Sequence, residues 1–137
     1  MTEYTDPPNM PDDERMTDAE FRVIRDWLGL TGDWLAGHLG VSDRTVRHWE
    51  QGKFSIPDGV REEVERLEAD TALTVANAVG QLMDMPEPGI ITYRTDAEFR
   101  AAHPEVSFPA SWHRQVVARI AQEVPGLSIA YAPPGKE

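Results

Sequence analysis

Leu35-Ala36-Gly37-His38-Leu39-Gly40-Val41-Ser42-Asp43-Arg44-Thr45-Val46-Arg47-His48-Trp49-Glu50-Gln51-Gly52-Lys53 is the stretch that decides the fold. It reads as two short helices joined by a glycine turn and followed by a capped exit. Gly40 falls where the turn needs a positive φ, which glycine adopts without steric cost. Ser42 is placed to accept from a free amide at the start of the next helix. Ala36 is small where a second helix must cross closely. Val41, Val46 and Trp49 are the apolar positions that hold that helix against the first. Asp43, Arg44, Arg47, His48 and Gln51 are left on the outer face. A helix-turn-helix presents that face to the major groove of DNA.

The side chains on that face match the chemistry of base edges. Arg44 and Arg47 lie one turn apart and can each give two hydrogen bonds to guanine O6 and N7, while Asp43 can accept from the amino group of cytosine. His48 lies further along the same face as a fourth base-reading candidate. Ser42, Thr45, Gln51 and Lys53 are candidate phosphate contacts. Thr31 and the amide of Gly32 join them, because they open the preceding helix and a helix N-terminus favours an anion. Trp34 has two readings, packing at a seam or lying against sugar-phosphate.

The same window resembles the Xre/Cro/434-repressor class. Leucine, alanine, the turn glycine, a hydroxyl cap, an aromatic anchor and Glu-x-Gly-Lys agree from Leu35 to Lys53. The resemblance implies a five-helix DNA-binding domain. It also implies that Glu50 pairs with Arg25 of the first helix, bracing the fold without touching bases.

A net charge of −11 over 137 residues opposes nucleic-acid binding until it is located, because phosphate contacts supply most non-specific affinity. Residues 1–14 hold five acids and no base, residues 15–54 six of each, and residues 55–86 seven acids against Arg61 and Arg66. The acidity therefore flanks the motif, and a local positive face survives around Arg44, Arg47 and Lys53. Non-specific binding is expected to be weak, so useful affinity must come from base contacts and paired half-sites.

The absence of cysteine excludes disulfides and thiolate metal sites, and the four histidines show no ligand spacing, so neither metal nor cofactor is expected. No apolar run is long enough for a membrane span. The acidic, proline-rich start lacks the pattern of a secretory leader, and a cytoplasmic protein is expected.

Along the chain, residues 1–16 read as a disordered acidic arm. Thr17 and Glu20 have capping-box spacing ahead of Phe21, Ile24 and Leu28 on one helical face. From about Asp58, a stripe of Val60, Val64, Leu67, Thr71, Thr74, Ala78 and Leu82 marks a long helix, with a possible break near Asp70. Pro86 and Pro88 end it. The segments 89–94 and 127–131 have strand chemistry, and two helices lie between them. This gives a DNA-binding region at 17–85, a small α+β region at 86–132, and a tail at 133–137.

That order, with Ile56-Pro57-Asp58, Ile91-Thr92-Tyr93 and Trp112-x-x-Gln115-x-Val117-Ala118, is similar to the YdiL-like proteins and the anti-CRISPR-associated (Aca) autorepressors of the second type. The likeness implies a homodimeric repressor on an inverted repeat, paired through its C-terminal part. The dimer candidates are Ile91, Tyr93, Trp112, Val116, Ile120, Ile129 and Tyr131, more apolar surface than so small a unit is expected to hide unaided. Enzymatic readings find no phosphate loop or nucleophile set, and the Glu62-Glu63-Glu65 run reads as a solvated helix face. The rival class is a protein-interaction module of antitoxin or antirepressor type, whose acidic surface meets a basic partner.

Overall fold

The computed structural model describes residues 15–133. The expected acidic arm, apart from Arg15 and Met16, and the tail after Pro133 lie outside the described residues. Six helices and two strands follow in order: α1 (Asp18–Trp27), α2 (Gly32–Leu39), α3 (Asp43–Glu50), α4 (Asp58–Leu82), β1 (Gly89–Thr92), α5 (Asp96–Ala102), α6 (Ala110–Glu123) and β2 (Ser128–Tyr131). The fold is mainly α, with a small α+β region at its C-terminal end. Where five N-terminal helices are expected, the last two form one unbroken helix, α4.

The chain divides into two compact units at Ala69/Asp70, inside α4 and ahead of the prolines that suggested a boundary near residue 85. In unit 1 the helix starts follow local chemistry. Thr17 and Glu20 close the capping box at 2.9 and 3.0 Å, and Thr31 accepts the Trp34 amide at 3.1 Å. The core contains Phe21, Leu28, Leu30, Leu35, Ala36, Leu39, Val46, Trp49, Ile56, Val60 and Val64. Met16 is buried as well, so it belongs to this unit and not to the arm. Packing enclosed it where composition suggested solvent.

In unit 2, β1 and β2 pair in parallel, Ile90 opposite Ile129 and Thr92 opposite Tyr131. A parallel pair needs a long crossover, which α5 and α6 provide. Thr95 caps α5, whereas Pro109 has no capping side chain, and Asp96 accepts the Ala110 amide at 2.8 Å in its place. Thr71 in the second half of α4 accepts the Trp112 indole N–H at 2.9 Å. The stripe on α4 steps from Thr71 to buried Val75, while Thr74 is exposed and donates to the Asp70 carbonyl.

His113 lies among Tyr93, Phe99 and Trp112 and is hydrogen-bonded to Thr92 Oγ1 at 2.8 Å. Burial, with smaller repulsion from His103 and Arg114, lowers its pKa to about 4. The folded protein then binds fewer protons than the unfolded chain between that value and the ordinary 6.5. Stability is fully present above pH 6.5, falls as pH drops through this window, and levels off below about 4. A shift of this size is worth about 3 kcal/mol for an enclosed ring, and partial solvent access reduces it to about 1–2 kcal/mol. Urea unfolding at pH 7 and pH 5 should show the wild type losing about 1 kcal/mol more than His113→Gln. An equal loss in both proteins would mean that burial does not neutralise this ring.

Candidate nucleic-acid interface

The α2–turn–α3 pair is built by its caps. Gly40 ends α2 at φ 73°, ψ 29°, in the left-handed region, and the Val41 amide returns to the Ala36 carbonyl at 3.0 Å. Ser42 then accepts the Thr45 amide at 3.1 Å and starts α3. Fully buried Ala36 permits the close crossing. Val46 and Trp49 face inward, with the Trp49 ring edge-on to Phe21 at 6.0 Å.

The opposite face of α3 carries the expected side chains. Asp43, Arg44 and Arg47 are exposed, as are Gln51 and Lys53 just beyond the helix, while Thr45 and His48 are half-buried. Among the described residues, neither Arg44, Arg47 nor Lys53 has an ion-pair partner, so their charge faces solvent. Burial first, and then Lys53, Arg44 and Arg47, hold the His48 pKa below its usual value. Partial burial and three neighbouring cations thus all disfavour the charged form of this one imidazole. Thr31 and Ser42 both use their hydroxyl oxygens as caps, and Ser42 Oγ also lies 2.9 Å from Thr45 Oγ1. Trp34 is half-buried and stacks on His38 at 5.0 Å, and His38 Nε2 lies 2.7 Å from a Glu63 carboxylate oxygen.

Behind this face, Glu50 is clamped by Arg25 in a two-point contact, Nε to Oε2 at 2.5 Å and Nη2 to Oε1 at 2.8 Å. Arg25 also donates to the Leu30 carbonyl at 2.9 Å, tying the exit of α1 to the end of α3. Arg22 adds a longer contact to Glu50 at 3.2 Å. The Arg25–Glu50 pair expected from the resemblance is therefore present, and it points away from the exposed face of α3.

The dimer candidates separate into two groups. Tyr93, Trp112, Val116 and Ile120 are buried within their own chain, which corrects their assignment to a dimer surface. The crossover helices and the second half of α4 enclose more apolar area than the sequence suggests. Ile91, Ile129 and Tyr131 stay exposed, at 49, 49 and 44%. Arg94 lies over the Tyr131 ring at 4.2 Å, and a shallow cleft between β2 and α6 is lined by Arg114, Val117, Ala118 and Ile129. Sequence reasoning passed over Phe54, which stands 61% exposed beside His48. An aromatic residue directly after Lys53 was the available signal.

The comparisons with known proteins span most of the chain's length. The chain is 31% identical over 114 residues to a protein named Aca2 repressor, from Pectobacterium phage ZF40, over 82% of this chain and 91% of that relative. The Aca2/YdiL-like family model matches residues 16–125, from buried Met16 through the whole of α6. A match that takes in both units, including the α2–turn–α3 pair and the crossover helices, leaves one assignment: the chain belongs to the Aca2/YdiL-like family.

Proposed function

We propose that the protein is a sequence-specific DNA-binding transcriptional repressor that works in the cytoplasm as a homodimer on an inverted repeat. The observation that carries this reading is that Arg44 and Arg47 are exposed, have no ion-pair partner among the described residues, and lie one turn apart on a short helix whose other side is locked into the core. The repressor name of the 31% identical relative supports it. Arg44 and Arg47 read guanines, Asp43 accepts from a cytosine, and His48 offers a ring nitrogen further along the groove. Thr31, the Gly32 amide, Ser42, Thr45, Gln51 and Lys53 contact phosphates and fix the register. Among the described residues, no helix is long and apolar enough to cross a membrane.

Selection from a random duplex library with the full-length protein, followed by anisotropy titrations, tests the reading. Arg44→Ala and Arg47→Ala should each lose about 1–3 kcal/mol of discrimination, confined to one position per half-site. Lys53→Ala should weaken all sequences alike and lower the salt slope by about one. Unchanged affinity and preference in both arginine variants would overturn the assignment.

A further inference from the structure

Phe54 is the most exposed aromatic side chain among the described residues, and none of the contacts assigned above uses it. Its position is nonetheless tightly set. The Lys53 amide donates to the His48 carbonyl at 2.9 Å and the Gly52 amide to the Trp49 carbonyl at 3.2 Å, so α3 ends in a Schellman turn tied to its own last carbonyls. Gly52 takes φ 73°, and a Cβ there would lie 2.9 Å from an Asp18 carboxylate oxygen. The positive φ favours glycine here, whereas the Asp18 carboxylate is the end of an exposed side chain that can swing aside; the φ and the two amide bonds fix where the next residues emerge. The Phe54 ring then rests against His48, centroids 5.4 Å apart and planes at 55°.

His48 adjoins exposed Arg47 on α3 and lies one turn from exposed Arg44, and Lys53 directly precedes Phe54, so the ring of Phe54 borders the cationic face of α3. An ordered apolar surface within a positive field suits a polyanion that also carries an apolar group. At the major-groove edge of DNA that group is the 5-methyl of thymine, which the other bases lack. Resting on the DNA-reading role proposed above, we infer that Phe54, backed by His48, is a specificity-determining residue that contacts a thymine 5-methyl group at the edge of each half-site.

The test uses the duplex recovered by selection with the full-length protein. Each thymine is replaced in turn by deoxyuridine, which removes one methyl group and leaves the pairing edge intact. One position per half-site should weaken wild-type binding about fourfold, the worth of one buried methyl group. Phe54→Ala should bind the thymine and deoxyuridine duplexes equally at that position, and Phe54→Leu should keep part of the difference. Melting curves of both variants confirm that the fold is intact. The inference is overturned if no thymine is methyl-sensitive, or if the sensitivity persists in Phe54→Ala. It is equally overturned if Phe54→Ala weakens all sequences alike, the outcome for a ring lying on deoxyribose. Failure to select any preferred sequence would instead strike the DNA-reading role itself.

Discussion

Glu50→Ala is expected to cost about 3 kcal/mol of folding stability and to lower the melting temperature by about 10 °C, without changing which bases are preferred. Glu50 and Arg25 are each only 11% exposed, and the carboxylate receives two guanidinium hydrogen bonds. Removing it leaves the enclosed Arg25 cation with the Leu30 carbonyl and a long contact to the exposed Asp26 carboxylate at 3.9 Å, which together offset only part of its lost hydration. The loss therefore reflects a stranded charge more than a missing attraction. Glu50→Gln should fall between the two, since an amide oxygen still accepts one hydrogen bond but no longer neutralises the guanidinium. Because the pair lies behind α3, the base preference found by library selection should be that of the wild type. A melting temperature within about 2 °C of wild type for Glu50→Ala would show that the clamp contributes nothing.

The clamp was legible because it belongs to a motif, and so were the caps, because their chemistry is local. Thr17, Thr31, Ser42 and Thr95 all accept from an amide three residues on, and Gly40 takes the positive φ that its turn requires. What escaped depends on partners distant in sequence. Whether Thr74 or Val75 continues the α4 stripe is decided by what unit 2 packs there, since both fit a helical period. The parallel pairing of β1 with β2 is a contact between residues about 40 positions apart, and nothing in either four-residue strand specifies it. For the same reason the apolar residues of α6 looked available for a partner chain. Trp112 illustrates the point: its indole is satisfied by Thr71, 41 residues away, a pairing invisible to periodicity.

Ile129→Asp is expected to convert the proposed dimer to a monomer and to weaken binding to a full inverted repeat at least about 100-fold, to the level of a single half-site. The two-stranded sheet offers the surface for this pairing. An isolated pair of strands is marginal in water, and each has an outer edge that can template another strand. In β2, the Ser128 and Ala132 amides donate to the Pro88 and Thr92 carbonyls of the β1 segment at 2.9 Å. Alternation then turns the amides of Ile129 and Tyr131 outward. Both side chains are about half exposed, so the edge combines outward backbone donors with apolar cover. A second copy, related by a two-fold axis, would satisfy both by antiparallel pairing of β2 with β2. Two recognition helices would then meet successive major grooves about 34–36 Å apart, the remedy for a protein whose net charge of −11 yields little from counterion release. A point change is the sharper probe, because a cut after Leu82 would also expose Thr71, Val75 and Leu82. Aspartate at the exposed position 129 leaves the core intact and places like charges across the axis. Sedimentation and titrations with half and full sites read the result. A variant that remains dimeric, or a monomeric wild type that binds one half-site as tightly as two, would refute pairing through this edge.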